Sequence, residues 1–249
     1  MRYFIRLRYK GTHYHGWQFQ TNALSIQGVV NEKLSQLLEE NIETIGCGRT
    51  DAGVHAEEYY AHFDIDQDLD TEALLKALAE LRVPGIEFRG IAKVDERLHA
   101  RFSALNRSYE YRITRSLNPF LKGRSFYVHD LLDLDLLRKL SADLIGTHDF
   151  AAFTKVHSKN KTTICTITKA EWEVQGELLI FRISADRFLW NMVRAIVGTL
   201  LEIGLHKRPS DDLQRVMKSG KRINAGASVP AAGLFLTEVE YPKSSFKFV

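Results

Sequence analysis

Gly46-Cys47-Gly48-Arg49-Thr50-Asp51-Ala52-Gly53-Val54-His55-Ala56 is the stretch around which the rest of the sequence is arranged. Three glycines within eight positions admit backbone geometries and close approaches that side chains would forbid. They set out Arg49, Thr50, Asp51 and His55 beside one another. A structural turn does not require an arginine and an aspartate two positions apart, and loops that gather such groups tend to carry chemistry. On these residues alone the stretch is either a functional loop or an ordinary polar turn.

Outward from the loop, Tyr59, Ala61, Phe63 and Ile65 alternate as a strand on its C-terminal side. On its N-terminal side, Ser25 is set to cap a helix carrying Ile26, Val30, Leu34, Leu37 and Leu38, closed near Asn41. Tyr3, Ile5, Leu7 and Tyr9 alternate with Arg2, Arg6 and Arg8, so a first strand would have one apolar and one basic face. Between that strand and the helix, Gly11 to Gln20 is rich in aromatic and amide groups; its Trp17 either plugs the sheet edge or touches a ligand. Leu74, Leu78 and Leu81 predict a second helix ending before Pro84-Gly85, and Ile86 to Val94 another strand. Asp64, Asp66, Asp68 and Asp70 lack the glycine and terminal glutamate of a calcium loop and read as turn residues.

A polar connection from Asp95 to Arg107 suggests a boundary, giving domains 1–104 and 105–249. The second half repeats the pattern with insertions. Tyr109, Tyr111 and Ile113 alternate, as does Phe126 to Val128; Leu136, Leu137, Leu140 and Leu144 form a helical stripe. Cys165 to Val174 and Leu178 to Ser184 form a hairpin about Gln175-Gly176, and Phe188 to Ile203 is the strongest helical segment. A short helix after Ser210 and a strand from Phe235 to Tyr241 close the chain. The fold class is therefore α/β (α+β), two helix-backed sheets. Lys155, His157, Lys159 and Lys161 lie in a loop that is either a solvated linker or a phosphate-touching arm.

Composition narrows the function. A 45% hydrophobic fraction over 249 residues suits a folded chain with a substantial core. The formal charge of +3 is compatible with nucleic acid but argues for it only if the cations cluster. Cys47 and Cys165 stand far apart, which excludes a Cys-x-x-Cys redox pair and a cysteine zinc site. The start does not read as a signal peptide, and no apolar run approaches the roughly 20 residues of a membrane helix. The expectation is a cytoplasmic protein without a membrane segment.

Asp51 is the best carboxylate for a direct chemical role. A nucleophilic carboxylate shielded from water needs a nearby cation to stay ionised. Arg49 is close in sequence. Arg187, Asn191 and Arg194, spaced by four and three, would lie along one side of the long helix, where Gly198 leaves surface for a loop or ligand to approach; the same line also reads as a solvated face. Tyr109 is either a core aromatic or a stacking platform for a nucleobase. His148-Asp149 has no serine companion and reads as a positioning pair. His55, His62 and His99 have no metal-ligand spacing, so no metal is assigned.

Several separated stretches, in this order, resemble the TruA family of tRNA pseudouridine synthases. They are Tyr9 through Gln20, Gly48 through Ala56, Arg107-Ser108-Tyr109-Glu110-Tyr111, Gly146-Thr147-His148-Asp149-Phe150, Phe188 through Arg194 with Gly198-Thr199-Leu200, and Gly233-Leu234-Phe235-Leu236. The resemblance implies two related domains whose antiparallel sheets meet around a central basic cleft, and a homodimer. It implies Asp51 as the catalytic aspartate, Tyr109 as the tyrosine stacking on the target uracil and Arg194 as the basic partner of the aspartate. Arg49 would help displace or replace the flipped nucleotide, and His55 and Asn191 would contact substrate. The implied reaction converts uridine to pseudouridine at positions 38, 39 and 40 of the tRNA anticodon stem-loop, without cofactor or metal. Lys10 stands where the family often has an acidic residue, Trp190 where it usually has histidine, and the pattern near Ala79 through Pro84 is weakened. Two other classes compete: a non-catalytic RNA-binding or tRNA-folding protein, which would not need Asp51 and Arg194 together, and a metal-dependent hydrolase using Asp51 and His55.

Overall fold

The computed structural model describes residues 1–155, 161–243, 246 and 248; His157 and Lys159 of the basic loop lie outside them. The architecture is mixed α/β, in two compact units: Met1–Leu105 with Leu236–Val249, and Asn106–Phe235.

In the first unit β1 (Arg2–Tyr9) is the middle strand, antiparallel to both β3 (His55–Asp64) and β4 (Ile86–Val94), and β2 (Ile45–Gly46) pairs with β3. Tyr3, Ile5, Leu7 and Tyr9 are buried as their alternation requires. The expected basic face is not an open stripe of charge. Arg2 pairs with Asp64 at 2.8 Å, Arg6 with Glu58 at 2.7 Å and Arg8 with Glu87 at 2.6 Å. Phe4 on that face is buried against Tyr241, ring centroids 5.5 Å apart.

Helix α1 (Ile26–Leu38) starts where Ser25 Oγ accepts the Gly28 N–H at 3.2 Å and stops at Glu39, whose φ of 52° ends the helix two residues before Asn41. Helix α2 (Thr71–Glu80) begins at Asp70, which accepts the N–H groups of Glu72 and Ala73. Two other acids of that run serve the fold as well: Asp64 holds Arg2, and Asp68 takes the Tyr3 hydroxyl and Lys93.

The second unit has the strand order β5 (Asn106–Thr114), β9 (Leu178–Ala185), β8 (Ile164–Gln175), β7 (Gly146–Asp149), with β6 (Phe126–Tyr127) parallel to β5. The β8–β9 hairpin turns through Gly176 at φ +56°. Helices α3 (Leu134–Ala142), α4 (Met192–Gly204) and α5 (Asp212–Ser219) accompany this sheet. Helix α4 is buried nearly all round, from Met192 to Gly204, and so serves as the central helix of the unit.

Two boundaries differ from the sequence reading. The final strand β10 (Leu234–Glu240) crosses the division, and from Leu236 onward the chain clusters with the first unit instead of the second half. There Leu105 N–H donates to Glu240 O at 2.8 Å and the Tyr241 hydroxyl donates to Ala100 O at 2.5 Å, tying the end of the chain back to the connection at 95–105. Helix α4 starts at Met192, four residues after Phe188, because Asn191 sits at φ +67° and breaks the helical path. Asparagine tolerates this left-handed region better than most residues. Arg187 therefore lies outside the helix and Asn191 at its cap, and the expected line Arg187–Asn191–Arg194 is not a helix face.

Candidate active site

The glycine loop hangs between β2 and β3. Cys47 N–H donates to Tyr60 O at 2.8 Å, which starts the loop in register with the sheet. Asp51 O then accepts the Val54 N–H at 3.1 Å, closing a four-residue turn whose third position, Gly53, has φ +81°. Such a turn requires glycine or asparagine there. It presents Asp51 half-buried at its first corner, between exposed Arg49 and buried His55.

The segment at 11–17 locks this turn. Gly53 N–H donates to Tyr14 O at 3.2 Å and Trp17 N–H to Thr50 O at 3.1 Å, while the Tyr9 hydroxyl and Thr50 Oγ1 share a buried bond of 2.8 Å. A Cβ at Gly11 would stand 2.0 Å from Val54 O, and one at Gly16 would stand 2.3 Å from Thr50 O. The two segments thus touch backbone to backbone on either side of Asp51, and only glycine permits it. His55 is 2% exposed, and its Nδ1 accepts the Gly11 N–H at 3.1 Å. The imidazole therefore lies beneath the loop as one of its fasteners. Trp17 is buried and stacks on Tyr59 with centroids 4.2 Å apart, which answers the open reading of that residue in favour of the sheet. The Tyr59 hydroxyl in turn donates to Gly48 O. Arg49, on the exposed side, donates from Nε to Gln18 Oε1 at 3.1 Å.

In the second unit, β5 carries Tyr109, Tyr111 and Ile113 on one face. Tyr111 and Ile113 are core, at 0% and 1% exposure, but Tyr109 is only half-buried, meeting Phe188 edge-on at 5.2 Å. Its ring sits at the rim of the core, the position from which an aromatic side chain can still meet a ligand. Arg194 projects from the first turn of α4, half-buried, and its Nε donates to Val229 O at 2.8 Å. Val229 N–H returns a bond to Arg194 O at 3.2 Å, and Asn191 Nδ2 donates to Ser228 Oγ at 2.5 Å.

The surface beside Gly198 is taken by the chain's own segment at 225–229. A Cβ on Gly198 would stand 1.7 Å from Ala227 O. Gly226 N–H donates to Thr199 Oγ1 at 2.8 Å and Ala227 N–H to Glu202 Oε1 at 3.1 Å, so four hydrogen bonds lay this segment along the helix and fix the arginine. His148 and Asp149 are spent locally: Nε2 of the former bonds Ile145 O at 3.0 Å, and the carboxylate of the latter accepts the Ala151 N–H at 2.9 Å.

The structure thus gathers Arg49, Asp51 and His55 on one loop of the first unit, and Tyr109, Asn191 and Arg194 on β5 and α4 of the second. Sequence reasoning singled out Thr50 with the loop but missed the parts played by Tyr59, Ser228 and Val229. Their signals are weak, because a strand tyrosine and a Ser-Val pair look like any others until the chain folds back on them. Gly226, three positions before Val229, was the clue available.

A family model described as tRNA pseudouridine synthase matches residues 140–242. Over nearly its full length the chain is similar to the tRNA pseudouridine synthase A of Bacteroides fragilis, at 44% identity over 99% of this chain and 98% of the relative. The corresponding protein of Porphyromonas gingivalis is 42% identical over 98% of this chain and 99% of its own, and that of Acetivibrio thermocellus 38% identical over 94% and 97%. The class is that of the pseudouridine synthases. Within it, the chain belongs to the tRNA pseudouridine synthase A family, also called TruA.

Proposed function

We propose that the chain isomerises uridine to pseudouridine at positions 38, 39 and 40 of the tRNA anticodon arm, with Asp51 as the nucleophile. The observation that carries this reading is the presentation of Asp51: a half-buried carboxylate at the corner of a turn held by Thr50, Gly53 and His55. Kinship to tRNA pseudouridine synthase A proteins along the whole chain supports the same chemistry.

In the reaction the N-glycosidic bond breaks, the uracil turns while still enclosed, and its C5 bonds to the ribose carbon as C5 gives up its proton and N1, freed from the ribose, takes one up. Substrate and product are isomers, and no electrons are exchanged with a partner, so the proposal calls for neither cofactor nor metal. Asp51 supplies the nucleophile, and Arg194 is the cation that keeps it ionised in a site closed to water. Tyr109 stacks on the extruded uracil, and Arg49 takes the space that the base leaves in the RNA. Extruding a base costs a few kcal/mol, which those two contacts and phosphate attraction must offset. His55 acts through the loop it fastens, and Asn191 through the turn that delivers Arg194.

The same reading has the two units as related domains lining a basic cleft, and the protein as a cytoplasmic homodimer acting on tRNA. No helix among the described residues is long and apolar enough to cross a membrane.

The test uses a tRNA transcript tritiated at uridine C5, with wild type and Asp51→Asn compared. Tritium release and pseudouridine at 38 to 40 with wild type alone are expected. A folded wild type that binds the transcript and leaves it unmodified would favour the RNA-binding reading instead. Activity retained by Asp51→Asn would overturn the nucleophile.

A further inference from the structure

Trp190 is the one tryptophan of three that faces solvent: Trp17 is 1% exposed and Trp172 5%, whereas Trp190 is 49% exposed. Its neighbours in the chain are core, Leu189 at 4% and Met192 at 1%. The left-handed Asn191 between them turns the backbone sharply into α4. Leaving half of an indole in water forgoes much of the stabilisation its burial would supply.

The indole is nonetheless held in place. Lys155 N–H donates to Trp190 O at 3.1 Å, the Thr154 hydroxyl lies 3.5 Å from the same carbonyl, and the Lys155 ammonium sits 4.2 Å from the ring centroid. This is an ordered pair, a flat aromatic face and a cation on one spot. It lies two residues beyond Phe188, the ring against which Tyr109 packs, and four residues before Arg194. An aromatic ring with a lysine ammonium over it offers the two groups that a single-stranded nucleotide engages, the ring by base stacking and the cation by phosphate charge.

We infer that Trp190 and Lys155 form a second nucleotide subsite, in which an unpaired base of the RNA next to the target uridine takes the place of the Lys155 ammonium over the indole and the displaced ammonium pairs with its phosphate. The inference rests on the proposed reaction on tRNA. The pair orients the strand and takes no part in bond making.

The test uses full-length protein carrying Asp51→Asn, so that binding is measured without turnover, and an unmodified tRNA transcript. Because the other two tryptophans are buried, iodide quenching of fluorescence reports on Trp190, and bound tRNA should shield it. Adding Trp190→Ala should raise the Kd about 5- to 150-fold, the range observed when a stacking aromatic is removed, while Trp190→Phe recovers most of the loss. Lys155→Gln should lower the salt dependence of binding by about one phosphate contact.

With Asp51 restored, Trp190→Ala should raise KM far more than it lowers kcat. A Trp190→Ala protein that binds tRNA as tightly as its parent overturns the subsite, as does iodide quenching unchanged by bound tRNA. If Trp190→Ala alters only the oligomeric state in sedimentation, the indole belongs to a protein interface and the inference fails. Failure of the catalytic reading is separable, since it requires wild type itself to leave tRNA unmodified.

Discussion

Replacing Gly198 with alanine tests how Arg194 is held. Considered as a helix position alone, glycine to alanine should stabilise α4 by about 1 kcal/mol. The surroundings reverse the sign. A Cβ there would stand 1.7 Å from Ala227 O, and the obstacle is backbone, which has no rotamer to escape into. Restoring an ordinary contact moves the carbonyl by about 1.5 Å or more. Overpacking of this kind costs about 1 to 3 kcal/mol. The displaced segment is also the one bonded through Gly226, Ala227 and Val229 to Thr199, Glu202 and Arg194. Losing two of those bonds adds about 2 kcal/mol. After the helix gain, a net destabilisation of about 2 to 4 kcal/mol is expected, a fall of roughly 4 to 16 °C in Tm for a chain of this size.

Calorimetry and urea unfolding measure it, and single-turnover tRNA modification should slow at least tenfold because Val229 no longer fixes the guanidinium. A Gly198→Ala protein more stable than wild type would refute the reasoning, since helix propensity would then have outweighed the contact.

His62 is buried, its Nδ1 accepts the Ala100 N–H at 3.1 Å, and burial first, then Arg2 and His99, pull its pKa from 6.5 to about 4. Because the folded value lies below the unfolded one, the unfolded chain binds the extra proton; stability is full above pH 6.5 and falls by up to about 3 kcal/mol towards pH 4. Urea titrations at pH 7 and 4.5 should show a smaller loss for His62→Asn, which retains an acceptor. His55→Ala should cost about 2 kcal/mol through the orphaned Gly11 N–H and reduce activity, with His55→Asn restoring most of both; activity lost from His55→Ala at unchanged Tm would instead make the imidazole a substrate contact. Gly11→Ala should lower Tm and modification together, whereas Gly48→Ala, whose Cβ would meet nothing within 4 Å, should leave folding within about 0.5 kcal/mol of wild type by thermal melt.

Much of the fold was legible because burial period and secondary structure are local. Tyr3 to Tyr9 could only be a half-buried strand, and Asp51 stood out because glycines bracket it. The same local reading failed at Phe188 to Asn191. Three apolar residues ahead of a helix look helical, and only the need to turn from β9 into α4 puts Asn191 at φ +67°. Arg2, Arg6 and Arg8 likewise read as a basic face until Asp64, Glu58 and Glu87, distant in sequence, arrived beside them.

The sequence by itself determined most of the element types, the glycine-bracketed loop between two strands and the family. These depend on residue spacing and on side-chain chemistry that each segment carries with it. The tertiary structure decided that His55 fastens the loop, that the segment at 225–229 cups Arg194, and that the end of the chain returns to the first unit. Each of those depends on a backbone group's partner far along the chain. Every backbone N–H and C=O looks alike in sequence, so its partner is chosen only when the chain packs.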